Sequence, residues 1–419
     1  MVPSQFALLP ARIFLANRRW VEGKALRIVN GRISSVVDPT HLDRKQGIIE
    51  LPGVALLPGL INAHTHLEYT DTSFSKPGHP GFVAWLAAIT SWKGKRSGPD
   101  VHRSLKLGVR ECLKTGVVAV GDHYSVALIP WELIRSPLKG VVFHELLGLK
   151  PADAPTVLAL VKRRGARFPR AGVRFGLALH TPFSLGQNLL TEGLDWAKSQ
   201  GIPLSMHVGE SKEEGELFKN SNSKLCHWLR AKTGVSFCPS NKDLFAHLER
   251  QGLWSVSLQA VHMNLARRRH LRWLDPRRLT IAYCPKSHEY FRHPRFALEL
   301  FLGKGYCVAL GTDSLASNDS LNMWEELRLA KSHHPSVPLE ILWDMATVNG
   351  ARSLGLPTCG QIRPGNWADL LGIPITRTRY PLAEVFRHKG DVTFCMIDGK
   401  VVAGAINART RQASSKLLR

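Results

Sequence analysis

The 419-residue sequence lacks the patterns that would mark a membrane span, a disulfide framework or a thiolate metal site. No apolar run approaches the roughly 18 residues a bilayer crossing needs. No basic N-terminal region precedes a long apolar core as in a secretory signal, so the cytoplasm is the expected compartment. Cysteine is sparse: Cys112, Cys226, Cys238, Cys284, Cys307, Cys359 and Cys395 are odd in number, scattered and without a C-x-x-C pair. That excludes a disulfide scaffold and predicts reduced, mostly buried thiols. No glycine-rich phosphate fingerprint follows the first long apolar strand, which weighs against a dinucleotide-binding fold. Acidic residues are also scarce, 33 against 56 basic, for a formal net charge of +23. The basic clusters Lys162-Arg163-Arg164, Arg267-Arg268-Arg269, Arg277-Arg278 and the tail from Arg409 to Arg419 carry no interleaved aromatics and no nucleic-acid-binding signature. They are expected to form a solvated basic surface, with no specific nucleic-acid partner and no membrane contact.

What is present changes character twice along the chain. Residues 1–57 read as short strands with turns, the clearest being Ala25 to Val29, the Asn30-Gly31 turn, and Ile33 to Val37. From 58 to 357, short apolar runs alternate with amphipathic stretches of helical length. The runs are Leu56 to Asn62, Val117 to Gly121, Val141 to Leu146, Val173 to Leu179, Pro203 to Val208, Ser257 to Val261, Leu279 to Tyr283 and Tyr306 to Leu310. Eight buried strands separated by helices predict a (β/α)8 TIM-type barrel of the α/β class. From 358 to 419 the β-rich pattern returns, with Asp369 to Ile373 and a closing hairpin from Val392 to Val402. The two ends resemble each other and not the middle, so they are expected to pair as one small flanking β-sandwich domain.

In such a barrel the chemistry sits at the C-terminal ends of the strands. Run one ends in His64-Thr65-His66, and on a strand the i, i+2 spacing puts both imidazoles on one face. Run five ends at His207, run six at His262 and run eight at Asp313. Three imidazoles and one carboxylate around one metal ion, with a position open for water, make a catalytic site.

The segments Pro58-Gly59-Leu60-Ile61-Asn62-Ala63-His64-Thr65-His66, His207-Val208-Gly209-Glu210-Ser211, Val261-His262-Met263-Asn264 and Gly311-Thr312-Asp313-Ser314 resemble the amidohydrolase superfamily. Within it they are similar to the chlorohydrolase and aminohydrolase branch, which includes S-adenosylhomocysteine, guanine and aminofutalosine deaminases. The closing Gly365-Asn366-Trp367-Ala368-Asp369-Leu370 extends the likeness over almost the whole chain. The resemblance implies that His64, His66, His207 and Asp313 hold one divalent transition metal ion, zinc or iron. It implies that Asp313 also takes a proton from water, that Glu210 shuttles protons to the ring and to leaving ammonia, and that His262 hydrogen-bonds the reacting centre. No lysine closes run four, where binuclear relatives carry a bridging one, so a single ion is expected.

Substrate contacts are expected from His180 and His288, with Glu68, Trp85 and His123 as further pocket candidates. His180 reads equally as a buried supporting residue, and Trp85, spaced helically with Phe82 and Ile89, equally as core. His288 stands where relatives often carry Asn in Cys-Pro-x-Ser-Asn. His227, His247, His270 and His334 fall in helical or loop stretches and are expected at the surface. The implied activity is hydrolytic deamination of a purine base or adenine nucleoside derivative, a small heterocyclic substrate. Hydrolysis of another C–N or C–Cl bond, as in a triazine, and a non-catalytic metal-binding barrel are the alternatives. Relatives also imply a homo-oligomer, although the sequence carries no interface motif.

Overall fold

A computed structural model describes residues 5–42, 47–72, 81–169, 172–237, 239, 242–406 and 409–411; Cys238 and most of the basic C-terminal tail lie outside them. Eight parallel strands pair in sequence order: Leu60–Thr65, Val117–Tyr124, Lys139–Leu146, Val173–Leu179, Leu204–Val208, Leu258–His262, Leu279–Tyr283 and Cys307–Leu310. They are numbered one to eight below. Strands one and eight meet through a parallel bridge between Thr65 and Asp313. The N–H groups of Thr312 and Asp313 both donate to the His64 carbonyl, at 3.0 and 3.1 Å. The seam that closes the barrel therefore runs through two of the expected metal ligands. Gly311 makes that approach possible, since a Cβ there would lie 2.7 Å from the His64 carbonyl oxygen.

The helices cover the barrel by burying one face each. Helix Gly98–Lys114 is capped by Ser97 and Asp100 in a reciprocal box and buries Val101, Leu105, Gly108 and Cys112, which recur at helical spacing. Among the described residues, six of the seven cysteines are free and buried, as the sparse, unpaired pattern predicts.

The two ends of the chain do pair. Strands Gln5–Phe14, Trp20–Glu22, Ala25–Val29, Arg32–Val37 and Gly47–Pro58 join Leu370–Pro374, Phe394–Ile397, Lys400–Gly404 and Arg409–Arg411 in a mixed sheet of nine strands. Hydrogen bonding links all nine into one sheet. Asn30 and Gly31 both take positive φ, 50° and 75°, as a tight hairpin turn requires. Leu56 and Leu57 belong to this sheet and not to strand one, because the chain leaves it at Gly59 and enters the barrel at Leu60.

Lys139, at the start of strand three, links the two sheets. Its Nζ donates to both carboxylate oxygens of Asp369 at 2.8 and 2.7 Å and lies 2.6 Å from Asp398 Oδ1. The Asp398 N–H and the Cys359 thiol complete the shell of Asp369 at 3.0 and 3.2 Å.

Three histidines expected at the surface are buried instead. His270 stacks on Phe245 at 4.2 Å, and its Nδ1 accepts the Arg267 N–H. His334 lies against Tyr283 and pairs with Glu299. His247 packs on Phe218. Each covers apolar surface with its ring, which a polar one-letter context conceals; His227 is exposed as expected.

Candidate active site

The ends of strands one, five, six and eight bring His64, His66, His207, His262 and Asp313 to one point, all of them buried. Asp313 Oδ1 lies 3.4 Å from His64 Nε2 and 3.6 Å from His66 Nε2. The His207 ring centroid is 5.0 Å from that of His64 and 5.4 Å from that of His66. Among the described residues, the groups whose donor atoms all lie within 4.8 Å of one another are His64–His262–Asp313, His64–His123–His207 and His66–Glu145–His207.

The hydrogen bonds behind these rings decide which atoms face inward. His64 Nδ1 is 2.9 Å from His123 Nδ1, and His123 Nε2 is 2.8 Å from Ser205 Oγ. Ser205 in turn donates to Gln259 Oε1 at 2.9 Å. A consistent direction along this chain makes His64 Nδ1–H the donor, which leaves a lone pair on its Nε2. His207 Nδ1 faces the His180 carbonyl at 3.0 Å and must donate to it, so its Nε2 also carries a lone pair. On Asp313, the hydroxyls of Ser287 and Ser317 both engage Oδ2, at 2.7 and 2.8 Å, and leave Oδ1 turned toward the histidines.

His64 Nε2 has no hydrogen-bond partner although it is fully buried. Burial holds His66 and His262 in the neutral form, and it brings His207 down to about 3, with the neighbouring His64 adding to the effect. Uncharged imidazoles with inward lone pairs beside a carboxylate oxygen fit a zinc-class or iron-class divalent ion. Both ring nitrogens of His123 are engaged, by His64 and by Ser205, so neither is free to face the same point.

Glu210 follows strand five on a backbone held from two sides. Glu214 accepts the N–H of Gly209 at 3.0 Å and of Glu210 at 2.7 Å, and Asn264 donates to the Glu210 carbonyl at 2.9 Å. The carboxylate points at His262, with Oε2 3.8 Å from Nε2. Burial first, then the charge of Asp313, pushes the Glu210 carboxyl well above the usual carboxylate range. His262 and Asp313 both adopt left-handed backbone, φ 70° and 59°. For non-glycine residues this costs about 1 kcal/mol or more each, a strain typical of functional positions.

A cavity of about 210 Å³ opens onto this point. Phe82, Trp85, Leu86 and Ile89 form one wall, and its polar lining includes His66, Glu145, His180, His207, Glu210, His262, Asp313 and Lys93. Trp85 is anchored by its Nε1–H to the Ala316 carbonyl at 2.8 Å. His180 and Trp85 are thus at the cavity, whereas Glu68 and His288 are not among its lining residues. Glu68 is buried behind it, accepting from the N–H and hydroxyl of Ser125. His288 Nδ1 lies 3.1 Å from Asn264 Oδ1, and Asn264 in turn supports the Glu210 carbonyl.

Two lining residues escape a reading of the sequence. Lys93 shares a helical face with Trp85, Leu86, Ile89 and Thr90, so the i, i+4, i+8 series from Trp85 pointed to it. Glu145 is a buried carboxylate one residue before the end of strand three, where a charged side chain needs a reason.

A model of the amidohydrolase family matches residues 55–402. The chain is 28% identical over 375 residues to a 5-methylthioadenosine/S-adenosylhomocysteine deaminase of Desulfitobacterium hafniense, covering 85% of this chain and 82% of that one. It is 27% identical over 357 residues to an aminodeoxyfutalosine deaminase of Deinococcus radiodurans, covering 82% and 84%. In fold it is similar to the crystal structure of Helicobacter pylori aminofutalosine deaminase, with TM-score 0.83 at 24% identity over 95% of this chain and all of that one. It is also similar to a zinc complex of atrazine chlorohydrolase from Arthrobacter aurescens, with TM-score 0.77 at 18% identity and 96% of both chains covered.

Proposed function

The chain belongs to the amidohydrolase family, and from that premise we propose a mononuclear metal-dependent deaminase acting on an aminopurine, as a base or an adenine nucleoside derivative. The observation that carries this reading is the meeting of three inward imidazoles and Asp313 Oδ1 at one point, with the buried Glu210 carboxyl beside His262. His64, His66, His207 and Asp313 would hold one ion, zinc or iron. Bound there, the ion supplies Lewis acidity that makes a water nucleophilic near neutral pH.

The chain's own groups account for the proton traffic. Asp313 accepts the proton released from the attacking water. Glu210, kept protonated by burial, donates to the ring nitrogen next to the amino-bearing carbon as the new C–O bond forms. The carboxylate left behind takes the proton of the newly added hydroxyl and delivers it to the amino nitrogen as the C–N bond breaks and ammonia departs, and the proton held by Asp313 then restores Glu210. His262, fixed in left-handed backbone opposite Glu210, hydrogen-bonds the oxygen that develops charge. Phe82, Trp85, Leu86 and Ile89 give a flat heterocycle an apolar wall.

Ammonia release from adenosine, S-adenosylhomocysteine, methylthioadenosine, aminodeoxyfutalosine, guanine and cytosine tests the reading, with chloro- and alkylamino-triazines as the contrasting leaving groups. Glu210→Gln is expected to lower turnover by about 10²–10⁴-fold while keeping the ion bound. Full activity in that variant, or turnover of triazines alone, overturns the assignment.

A further inference from the structure

Among the helices that cover the barrel lies a second cavity, of about 580 Å³, which shares no lining residue with the first. Helix Gly98–Lys114, the single turn Trp131–Ile134 and helix Ala154–Gly165 all contribute to it, and its volume suits a small molecule. Two chemistries meet there. Arg163, Arg164 and Arg167 come from the end of the last helix and the turn after it, and Leu128, Leu160 and Trp131 supply an apolar floor. Leu128 and Leu160 are 37% and 36% exposed, two of the six large apolar side chains that the described residues leave open to solvent.

Elsewhere on this basic surface arginines find carboxylates: Arg96 and Arg103 pair with Asp71, Arg277 with Asp275 and Arg295 with Glu299. Among the described residues none of the three cavity arginines pairs with a carboxylate, and no carboxylate lines the cavity. Glu132, next to Trp131, is taken by His102 Nδ1 at 2.8 Å. Arg164 Nη1 donates to His144 Nε2 at 2.9 Å, and burial brings His144 down to about 3, so this partner is a neutral ring. Burial also pulls the Arg164 guanidinium down, and the like charge of Arg163 adds to the effect. Arg167 and Arg135 lie over the Trp131 ring, 5.8 and 5.0 Å from its centroid, which brings a fourth cation and no anion. The carbonyls at the end of helix Ala154–Gly165 favour a cation beside them, but that effect fades within one turn and does not neutralise a cluster. The balancing charge has to come from outside the chain. Guanidinium forks match phosphate oxygens two at a time, and the leucines and the indole suit an apolar body attached to that head. We propose that this cavity binds a small organic phosphate, with its phosphoryl group on Arg163, Arg164 and Arg167 and its apolar or aromatic body on Leu128, Leu160 and Trp131. The proposal does not depend on the deaminase reading.

The experiment is calorimetric titration of the full chain with phenyl phosphate, inorganic phosphate and phenol, beside co-sedimentation with phosphatidylglycerol and phosphatidylcholine vesicles. Phenyl phosphate is expected to bind saturably, about tenfold or more tightly than inorganic phosphate or phenol. Arg163→Gln combined with Arg167→Gln, both at exposed positions, should weaken it by about tenfold or more. Arg268→Gln combined with Lys219→Gln removes the same charge from exposed positions that do not line the cavity, and should change the affinity by less than about twofold. Leu128→Ser should narrow the margin of phenyl phosphate over inorganic phosphate by about threefold. Titrations of the metal-loaded and the chelated protein should agree within about twofold, because an anion seated on the ion would be lost with it. Equal weakening in the two double variants overturns the proposal, since it makes the effect one of net charge. So does binding that disappears with the ion, binding of phenyl phosphate no tighter than that of inorganic phosphate, which leaves an adventitious ion only, or no saturable binding at all. Capture by phosphatidylglycerol vesicles without binding of phenyl phosphate would assign the arginines to a lipid surface instead.

Discussion

The mouth of the barrel and the joint around Lys139 are both polar and both buried, yet they are built on opposite principles. At the joint, both oxygens of Asp369 are matched, by Lys139, the Asp398 N–H and the Cys359 thiol. At the mouth, His64 Nε2, His66 Nδ1 and Glu145 Oε1 are each left without a partner. A folded protein gains nothing from such atoms by themselves, because each forfeits hydration without compensation. At the joint the chain supplies the donors of Asp369 itself; at the mouth it leaves three neighbouring atoms unsupplied.

Removing the ion breaks the comparison most severely. Dialysis of the metal-loaded protein against a chelator should abolish ammonia release and lower the melting temperature by several degrees, and zinc or iron should restore both. Activity indifferent to the chelator would show that the unmatched atoms await some other ligand. Asp369→Ala tests the other side: it leaves Lys139 with Asp398 alone and should cost about 3 kcal/mol in a denaturant titration, with kcat per folded molecule within about threefold of wild type. Adding Lys139→Met should recover much of that loss, and an alanine variant as stable as wild type would end the assignment of this cluster to stability.

A smaller effect is expected at Glu326, behind the loop that follows strand eight. It is buried and accepts from the Lys286 N–H at 3.0 Å and from Asn318 at 2.8 Å, but burial dominates and moves its carboxyl from 4.5 up to about 8. The native state then holds a proton that the unfolded chain releases between those values. Its stabilisation is complete below pH 4.5 and is lost as pH rises toward 8, by at most about 1.4 kcal/mol per pH unit. Glu326→Gln should flatten that part of the stability profile, and an unaltered slope would place the carboxyl's titration elsewhere.

The barrel was legible because parallel strands covered on both faces leave continuous apolar runs, and all eight runs became strands. His64, His66, His207, His262 and Asp313 were legible because they end those runs, where a barrel keeps its chemistry. What stayed hidden depended on pairings across the chain. Glu145 looks like an interruption of strand three until His66 and His180 are set beside it. Glu68 sits two residues from His66, yet a 3₁₀ turn over Leu67–Tyr69 carries it behind the cavity wall to Ser125. His288 replaces an expected Asn, but its ring ends on Asn264 and not in the cavity. Burial of His247, His270 and His334 arose from packing of their rings on aromatic neighbours, stacked for His270 and edge to face for the other two, which local polarity does not encode.

The strand Gly47–Pro58 leads directly into strand one, yet one of its neighbours is Leu370–Pro374, with Leu370 opposite Pro58 and Ile373 opposite Ala55. At about 5–20 residues per second, synthesis needs roughly 15–60 s to bring those partners out after each other. For that interval the nascent chain carries an apolar strand with one open edge, ready to pair with a neighbouring copy. The same long-range pairing that joins the two ends of the finished molecule makes its birth the moment when it is most exposed to aggregation, and a chain that stops before residue 370 never leaves that moment.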